Sequence, residues 1–343
     1  MTLSNIGLFI ILALVLFLPF SVKKIEEELE IFLFVMGCAA VTISAQWNIH
    51  LISEALSEPM KITLAVFFAG FLFRLLQKSI ANHINNIAGT IGIKLFAFLV
   101  IVVLGFLSSV ITAIIASLIL VEIISYLKLE RKTEIRLVIL ACFSIGFGAA
   151  LTPIGEPLST IAIAKLKGQP YQADFFFLAR LLGGYIAAGI LACGLLGAGL
   201  SPSKNNIRSS LREDNEESIK DILIRTLKVY LFVMALIFLG SGFKPIIDTF
   251  ISKMPYYGLY WVNIISAIVD NATMAAAEIG PNLDILQIKA ALLALVIAGG
   301  MLIPGNIPNI IAAGKLKIRS SEWAKFGIPV GLITMLVYYF LLK

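Results

Sequence analysis

The sequence predicts an all-α polytopic membrane protein made of two inverted repeats, each with a re-entrant helical hairpin and a broken transmembrane helix. Three observations carry that expectation. The first is composition: 59% of the 343 residues are hydrophobic and 14% charged, too little polar surface for a soluble domain of this length. The second is an interruption in an apolar segment, GFGAALTPIGEPLSTIAIAKLKG over 146–168, where Pro153, Gly155, Glu156 and Pro157 break what a plain membrane helix would continue. The third is the return of the same design 150 positions later, GGMLIPGNIPNIIAAGKLKI over 299–318. Gly155 then matches Gly305 and Lys165 matches Lys315, while Glu156 falls opposite Asn306 and Ser159 opposite Asn309. Two Gly/Pro-interrupted apolar segments in corresponding halves point to a transporter's midplane binding site. Unrelated proline kinks would not share the A-x-x-K-L-K ending.

Taken in order, apolar spans of bilayer length are expected near 4–20, 30–48 and 62–77. The first 20 residues lack a basic n-region and a small-residue cleavage site, so they read as a retained span. The stretch 77–90, QKSIANHINNIAGT, mixes apolar and polar positions and reads as an interfacial helix or loop. An apolar run over 91–127 is interrupted at Ser108, Ser109 and Thr112, and 262–279 is interrupted at Asp270, Asn271 and Thr273. Further spans fall near 175–196, 221–240 and 324–342. The organisation is therefore 1–61 as N-terminal accessory spans, 62–200 as the first inverted repeat, 201–220 as a polar cytoplasmic connector and 221–343 as the second inverted repeat.

The net charge of +6 does not indicate nucleic acid, because the basic residues are scattered over short loops and fit the positive-inside bias. That bias favours re-entrant hairpins over full crossings, which leaves three crossings per half and an inverted pair. A multi-pass protein of the cell (inner) membrane is expected. Cys38, Cys142 and Cys193 lie in apolar runs without metal-ligand spacing and read as packing residues.

Non-helical backbone at membrane depth is tolerated only where it is buried in protein or lines a wet cavity. Four breaks then imply one cavity, lined by Ser108, Ser109 and Thr112; by Thr152, Gly155, Glu156, Ser159 and Thr160; by Asp270, Asn271 and Thr273; and by Gly305, Asn306 and Asn309. Hydroxyl, amide and carboxylate oxygens are the hard ligands a sodium-sized cation prefers, and Asp270, Asn271 and Thr273 form the candidate sodium set. An intramembrane carboxylate is costly and is a functional candidate by default. Asp270 and Glu156 are the candidate proton-coupling groups, although Glu156 could instead cap the half-helix starting at Pro157. Glu122 and Glu278 lie nearer the ends of their arms and read as solvated or paired. The half-helix N-termini also suit an anion, so the backbone permits either sign of substrate.

At V-D-N-A-T (269–273) and P-G-N-I-P-N (304–309) the chain resembles the ion transporter superfamily, which includes NhaD-type sodium/proton antiporters, arsenite permeases and divalent-anion/sodium symporters. It also resembles a little-characterised prokaryotic family provisionally labelled cation transporters. The resemblance covers roughly 62–343 and implies two inverted repeats and an elevator-like movement of the site. The sodium/proton branch has a D-N-x-T-like tip, kept here at Asp270, Asn271 and Thr273, whereas the anion symporters use Ser-Asn-Thr tips in both halves. The first tip, Ser108 to Thr112, follows neither pattern fully.

The expected function is a secondary active transporter exchanging sodium or another monovalent cation for protons, with a sodium-coupled organic or inorganic anion carrier as the alternative. The expected partners are that cation and the proton, or a small anion, together with the bilayer; a homodimer is compatible with the sequence, and nucleic acid is not expected. No cofactor is expected beyond sodium as substrate or coupling ion. An intramembrane hydrolase pairing Asp270 with Glu156 lacks G-x-G-D, H-E-x-x-H or an acidic metal cluster, so no enzyme is expected.

Overall fold

The computed structural model describes residues 3–22, 24–25, 28–127, 129–202, 219–246, 254–268 and 271–342, and the described residues are helical with no strand among them. Asp270, Val269 and nearly all of the 201–220 connector lie outside the described residues, as does the side chain of Thr273. In chain order the helices are α1 (Leu3–Ser21), α2 (Leu29–Ile43), α3 (Ile49–Ile91), α4 (Ile93–Ile111), α5 (Ala113–Tyr126), α6 (Arg131–Ala149) and α7 (Pro157–Lys165). They continue as α8 (Phe177–Leu200), α9 (Ile219–Ile246), α10 (Tyr256–Val262), α11 (Asn271–Glu278), α12 (Ile285–Gly299), α13 (Ile307–Leu316) and α14 (Ser320–Leu341). Short 3₁₀ turns at Asn263–Ala267 and Ile303–Gly305 complete them.

Among the described residues, four helices are long and apolar enough to cross a membrane: α4, α8, the Ile222–Ile246 part of α9, and α14. Together with the composition, they make this a membrane protein. Two further helices occupy the centre. Every residue of α6 from Leu137 to its end is buried, as is every residue of α12 from Ala290 to its end. A helix apolar on all faces belongs in the middle of a bundle, and α6 and α12 pack against each other there. Around them, α4 and α8 pack on α6, while α10 and α14 pack on α12.

Local chemistry sets several helix ends. Asp284 and Gln287 form a reciprocal capping box that starts α12. Pro157 opens α7 at a position where a missing N–H costs nothing. The chain passes from α4 to α5 through Thr112, whose φ of 76° and ψ of 151° fall in a region that β-branched residues rarely enter. The start of α4 (Phe96, Ala97) and the end of α5 (Ile124, Leu127) line one apolar cavity with Leu137 and Ala141 of α6. The chain therefore doubles back at Thr112.

One sequence expectation needs correcting. The span at 62–77 and the interfacial piece at 77–90 are a single continuous helix, α3, which also takes in 49–61. Pro59 sits inside it without ending it. The exposed residues Ile49, Ile52, Leu56, Met60, Leu64, Phe68 and Phe71 recur at intervals of three and four, so one apolar stripe runs along the helix. Polar residues at 50, 53, 54, 57 and 58 between those stripe positions hid this N-terminal extension of the 62–77 span from a reading by apolar runs.

Candidate functional site

The two breaks share one backbone, position for position. In the first, Ala150, Leu151 and Gly155 donate their N–H groups to Phe147, Gly148 and Thr152. In the second, Gly300, Met301 and Gly305 donate to Ile297, Ala298 and Leu302, each pair 150 residues further on. Glu156 and Asn306 both stand extended at the N-cap with φ of −156°. The glycines before them face the same constraint: a Cβ at Gly155 would land on the Ala149 carbonyl, and one at Gly305 on the Gly299 carbonyl. Side chains repeat the pattern. Ser159 Oγ donates to Ala149 O at 3.1 Å, and Asn309 Nδ2 donates to Gly299 O at 2.8 Å.

Each interrupted stretch is fastened to the break of its own half. Thr152 Oγ1 donates to the Ser109 carbonyl, and Ala113 N donates to Gly155 O at 2.9 Å. Ser108 Oγ reaches Ile145 O at 2.9 Å on α6, and Ser266 Oγ reaches Leu295 O at 3.2 Å on α12. Those acceptors are again 150 apart, whereas the two serines are 158 apart. In the second half, a Cβ at Gly305 would lie 3.0 Å from Ala267 O, and one at Gly299 would lie 3.5 Å from Asn271 Nδ2.

The halves also interlock. Helix α5 packs on α13, and α11 packs on α7. Asn306 sits beside α6, where a Cβ on Gly146 would meet its Nδ2 at 3.1 Å. At the ends, Arg131 at the start of α6 donates to Leu316 O at 2.9 Å, in the last residue of α13, and to Lys317 O at 2.7 Å just beyond it. Tyr171, past the end of α7, donates to Leu283 O, just before α12. A buried ion pair, Lys315 Nζ to Glu122 at 3.2 Å, ties α13 to α5.

Of the residues singled out from sequence, Thr152, Gly155, Glu156, Ser159, Asn271, Gly305, Asn306 and Asn309 are buried where α6, α7, α11, α12 and α13 converge. Ser108 is buried beside them, with its hydroxyl held by Gly105 O and Ile145 O. Ser109 Oγ turns back to Phe106 O, Thr112 Oγ1 accepts from Ile115 N, and the more exposed Thr160 donates to Pro153 O at 2.6 Å. Glu156 makes no capping bond to α7, whereas Asn306, its counterpart, accepts from Ile307 N at 2.8 Å. Asn309 Oδ1 and Asn271 Nδ2 are buried with no hydrogen-bond partner among the described residues, a state that in a native fold calls for an explanation.

The sequence reading passed over Ser266, Asn263, Gly105 and Gly148. A signal for the first was present: S-S-V-I-T at 108–112 aligns with S-A-I-V-D at 266–270 once the offset is 158 instead of 150.

A family model described as a protein of unknown function, DUF1646, matches residues 5–343. No curated protein matches the chain.

Proposed function

The chain belongs to the DUF1646 family, and we propose that it is a secondary active transporter of the cell's inner membrane, exchanging sodium or a similar monovalent cation for protons. The observation that carries this reading is the twin break: two helices unwound at the same register, 150 residues apart, each following one of the two buried helices, α6 and α12, that pack together at the centre. Non-helical backbone at membrane depth is tolerated only where it is buried in protein or lines a wet cavity, and paired discontinuous helices are how secondary transporters build a binding site.

The end contacts support an inverted relation between the halves. The start of α6 touches the end of α13, and the segment after α7 touches the start of α12. The two broken helices therefore run in opposite senses through one centre, an arrangement suited to a site that faces each side of a membrane in turn. On this reading the α4–α5 pair and the α10–α11 pair are re-entrant hairpins, 62–200 and 221–343 are the repeats, and the site rides between them in an elevator-like movement.

The cation ligands in this proposal are Asn309 Oδ1, buried with no hydrogen-bond partner among the described residues, and the Glu156 carboxylate at the N-cap of α7. Asp270 and Thr273 complete the sodium set in this proposal. The anion alternative would draw on Lys315, but that charge is compensated by Glu122. The test is transport by purified protein in liposomes under sodium, lithium and potassium gradients, against citrate-like and oxyanion substrates. The expected result is proton movement driven by a sodium or lithium gradient. Uptake of an anion with no cation-driven proton flux would overturn the reading.

A further inference from the structure

Away from the breaks, the two arms of the second interrupted stretch are clasped by a polar pair. Asn263 opens the 3₁₀ turn on one arm, and Glu278 ends α11 on the other. Asn263 is 0% exposed and Glu278 5% exposed. The amide nitrogen donates to Glu278 Oε2 at 2.8 Å and to Ala291 O of α12 at 3.4 Å, which uses both of its hydrogens. What remains is Asn263 Oδ1 and Glu278 Oε1, both buried and both without a hydrogen-bond partner among the described residues.

Two acceptor oxygens left on the same amide–carboxyl pair are the signature of one missing hydrogen. An ionised carboxylate has no donor to offer an amide oxygen, whereas a carboxylic acid has one. With a proton on Oε1, the acid donates to Asn263 Oδ1 while the amide donates to Oε2, closing a cyclic acid–amide pair in which every polar atom is satisfied. Without it, a buried carboxylate would face an amide oxygen with a single hydrogen bond in compensation, an arrangement that a low-dielectric interior strongly disfavours. The charged residues on the elements packed against α11 are Lys165 of α7, Lys289 of α12, and Lys220, Asp221, Arg225, Lys228 and Lys244 of α9. Among the described residues none forms an ion pair with Glu278; Lys289 instead lies over the Tyr185 ring.

We propose that Glu278 and Asn263 form a proton-binding site in which Glu278 is held as the neutral acid, and that release of the proton to water opens the clasp between the two arms. Release leaves Oε1 and Oδ1 as opposed acceptors, so the deprotonated pair separates and the arms part. The site stands without the antiporter reading; its use to couple proton release to movement of the α10–α11 arms rests on that reading.

Infrared spectroscopy of the purified protein tests the site directly. Wild type at neutral pH should show a carboxylic-acid carbonyl band that is absent from Glu278→Gln, which keeps the shape and both amide hydrogen bonds. Asn263→Leu should move that band to higher frequency, because the acid loses its acceptor. A wild-type spectrum identical to that of Glu278→Gln in the carboxylic-acid region would overturn the proposal. So would a band that disappears on adding sodium, since a cation would then hold the pair. Should Glu278→Gln transport with the wild-type pH profile although the band is lost, the proton site holds and its coupling role falls.

Discussion

Ser159 and Asn309 make the same bond in the two halves, each reaching back ten residues to the carbonyl that ends the preceding helix, Ala149 or Gly299. Asn309 does more, since its Nδ2 also donates to Leu302 O at 2.8 Å. Leaving a buried acceptor unsatisfied costs about 1–3 kcal/mol. Asn309→Ala, which removes two hydrogen bonds and leaves Leu302 O with the Gly305 N–H alone, should lower thermal stability in detergent more than Ser159→Ala, which removes one. Equal losses would mean that the Leu302 bond contributes nothing.

A second prediction concerns the seam between α4 and α6. A Cβ on Gly148 would fall on the carbonyl of Gly105, backbone against backbone, with no flexible side chain to yield. Gly148→Ala should cost about 3 kcal/mol or more, or prevent folding, as forced overpacking does. Gly314→Ala in α13, where a Cβ meets nothing within 4 Å, should instead stabilise by about 0.4–1 kcal/mol. Thermal melts of the two variants in one detergent decide the matter, and a stable Gly148→Ala would mean that the two backbones can part.

Topology is checked by cysteine labelling from each side, with Cys38, Cys142 and Cys193 replaced by alanine. Because α4 and α5 double back, Thr90→Cys and Lys132→Cys should label from one face. Because Tyr171 meets Leu283 at the other end of the broken pair, Gln169→Cys and Asn282→Cys should label together from the opposite face. Labelling of Thr90→Cys and Lys132→Cys from different faces would end the inverted-repeat reading.

Coupling is tested at Asp270, which aligns with Thr112 at the offset set by Ser108 and Ser266. Asp270→Asn keeps size and an oxygen but removes the titratable charge, so folded protein should lose sodium-driven proton movement in liposomes. Asp270→Glu should keep part of it with an altered pH profile, and Thr112→Ala should leave proton coupling in place. Wild-type exchange by Asp270→Asn would remove the carboxylate from the mechanism.

The breaks were legible in the sequence because proline, glycine and a shared A-x-x-K-L-K ending mark them locally and at one fixed spacing. The hairpin correspondence was hidden because eight fewer residues separate the second tip from its break, and a single offset of 150 misaligns Ser108 with Gly258. Asn263 and Glu278 escaped for a different reason: their pairing spans 15 residues across a doubled-back chain, so no local pattern announces it. Helix α3 was underestimated because polar residues adjoin its apolar stripe, and a search for unbroken apolar runs stops at the first of them.

That helix has a mechanical consequence. At 1.5 Å per residue its 43 residues extend about 65 Å, twice the roughly 30 Å of a hydrocarbon core. The exposed stripe from Ile49 to Phe71 alone is about 33 Å long, so it already matches the bilayer, and the remainder up to Ile91 projects beyond it or lies along its surface. A helix so matched responds to thinner or thicker membranes by tilting. Its C-terminal end is joined through Gly92 alone to α4, the first arm of the doubled-back pair fastened to the break. In the proposed topology, lipid chain length thereby becomes a lever on the geometry of the site, applied through the backbone with no ligand involved.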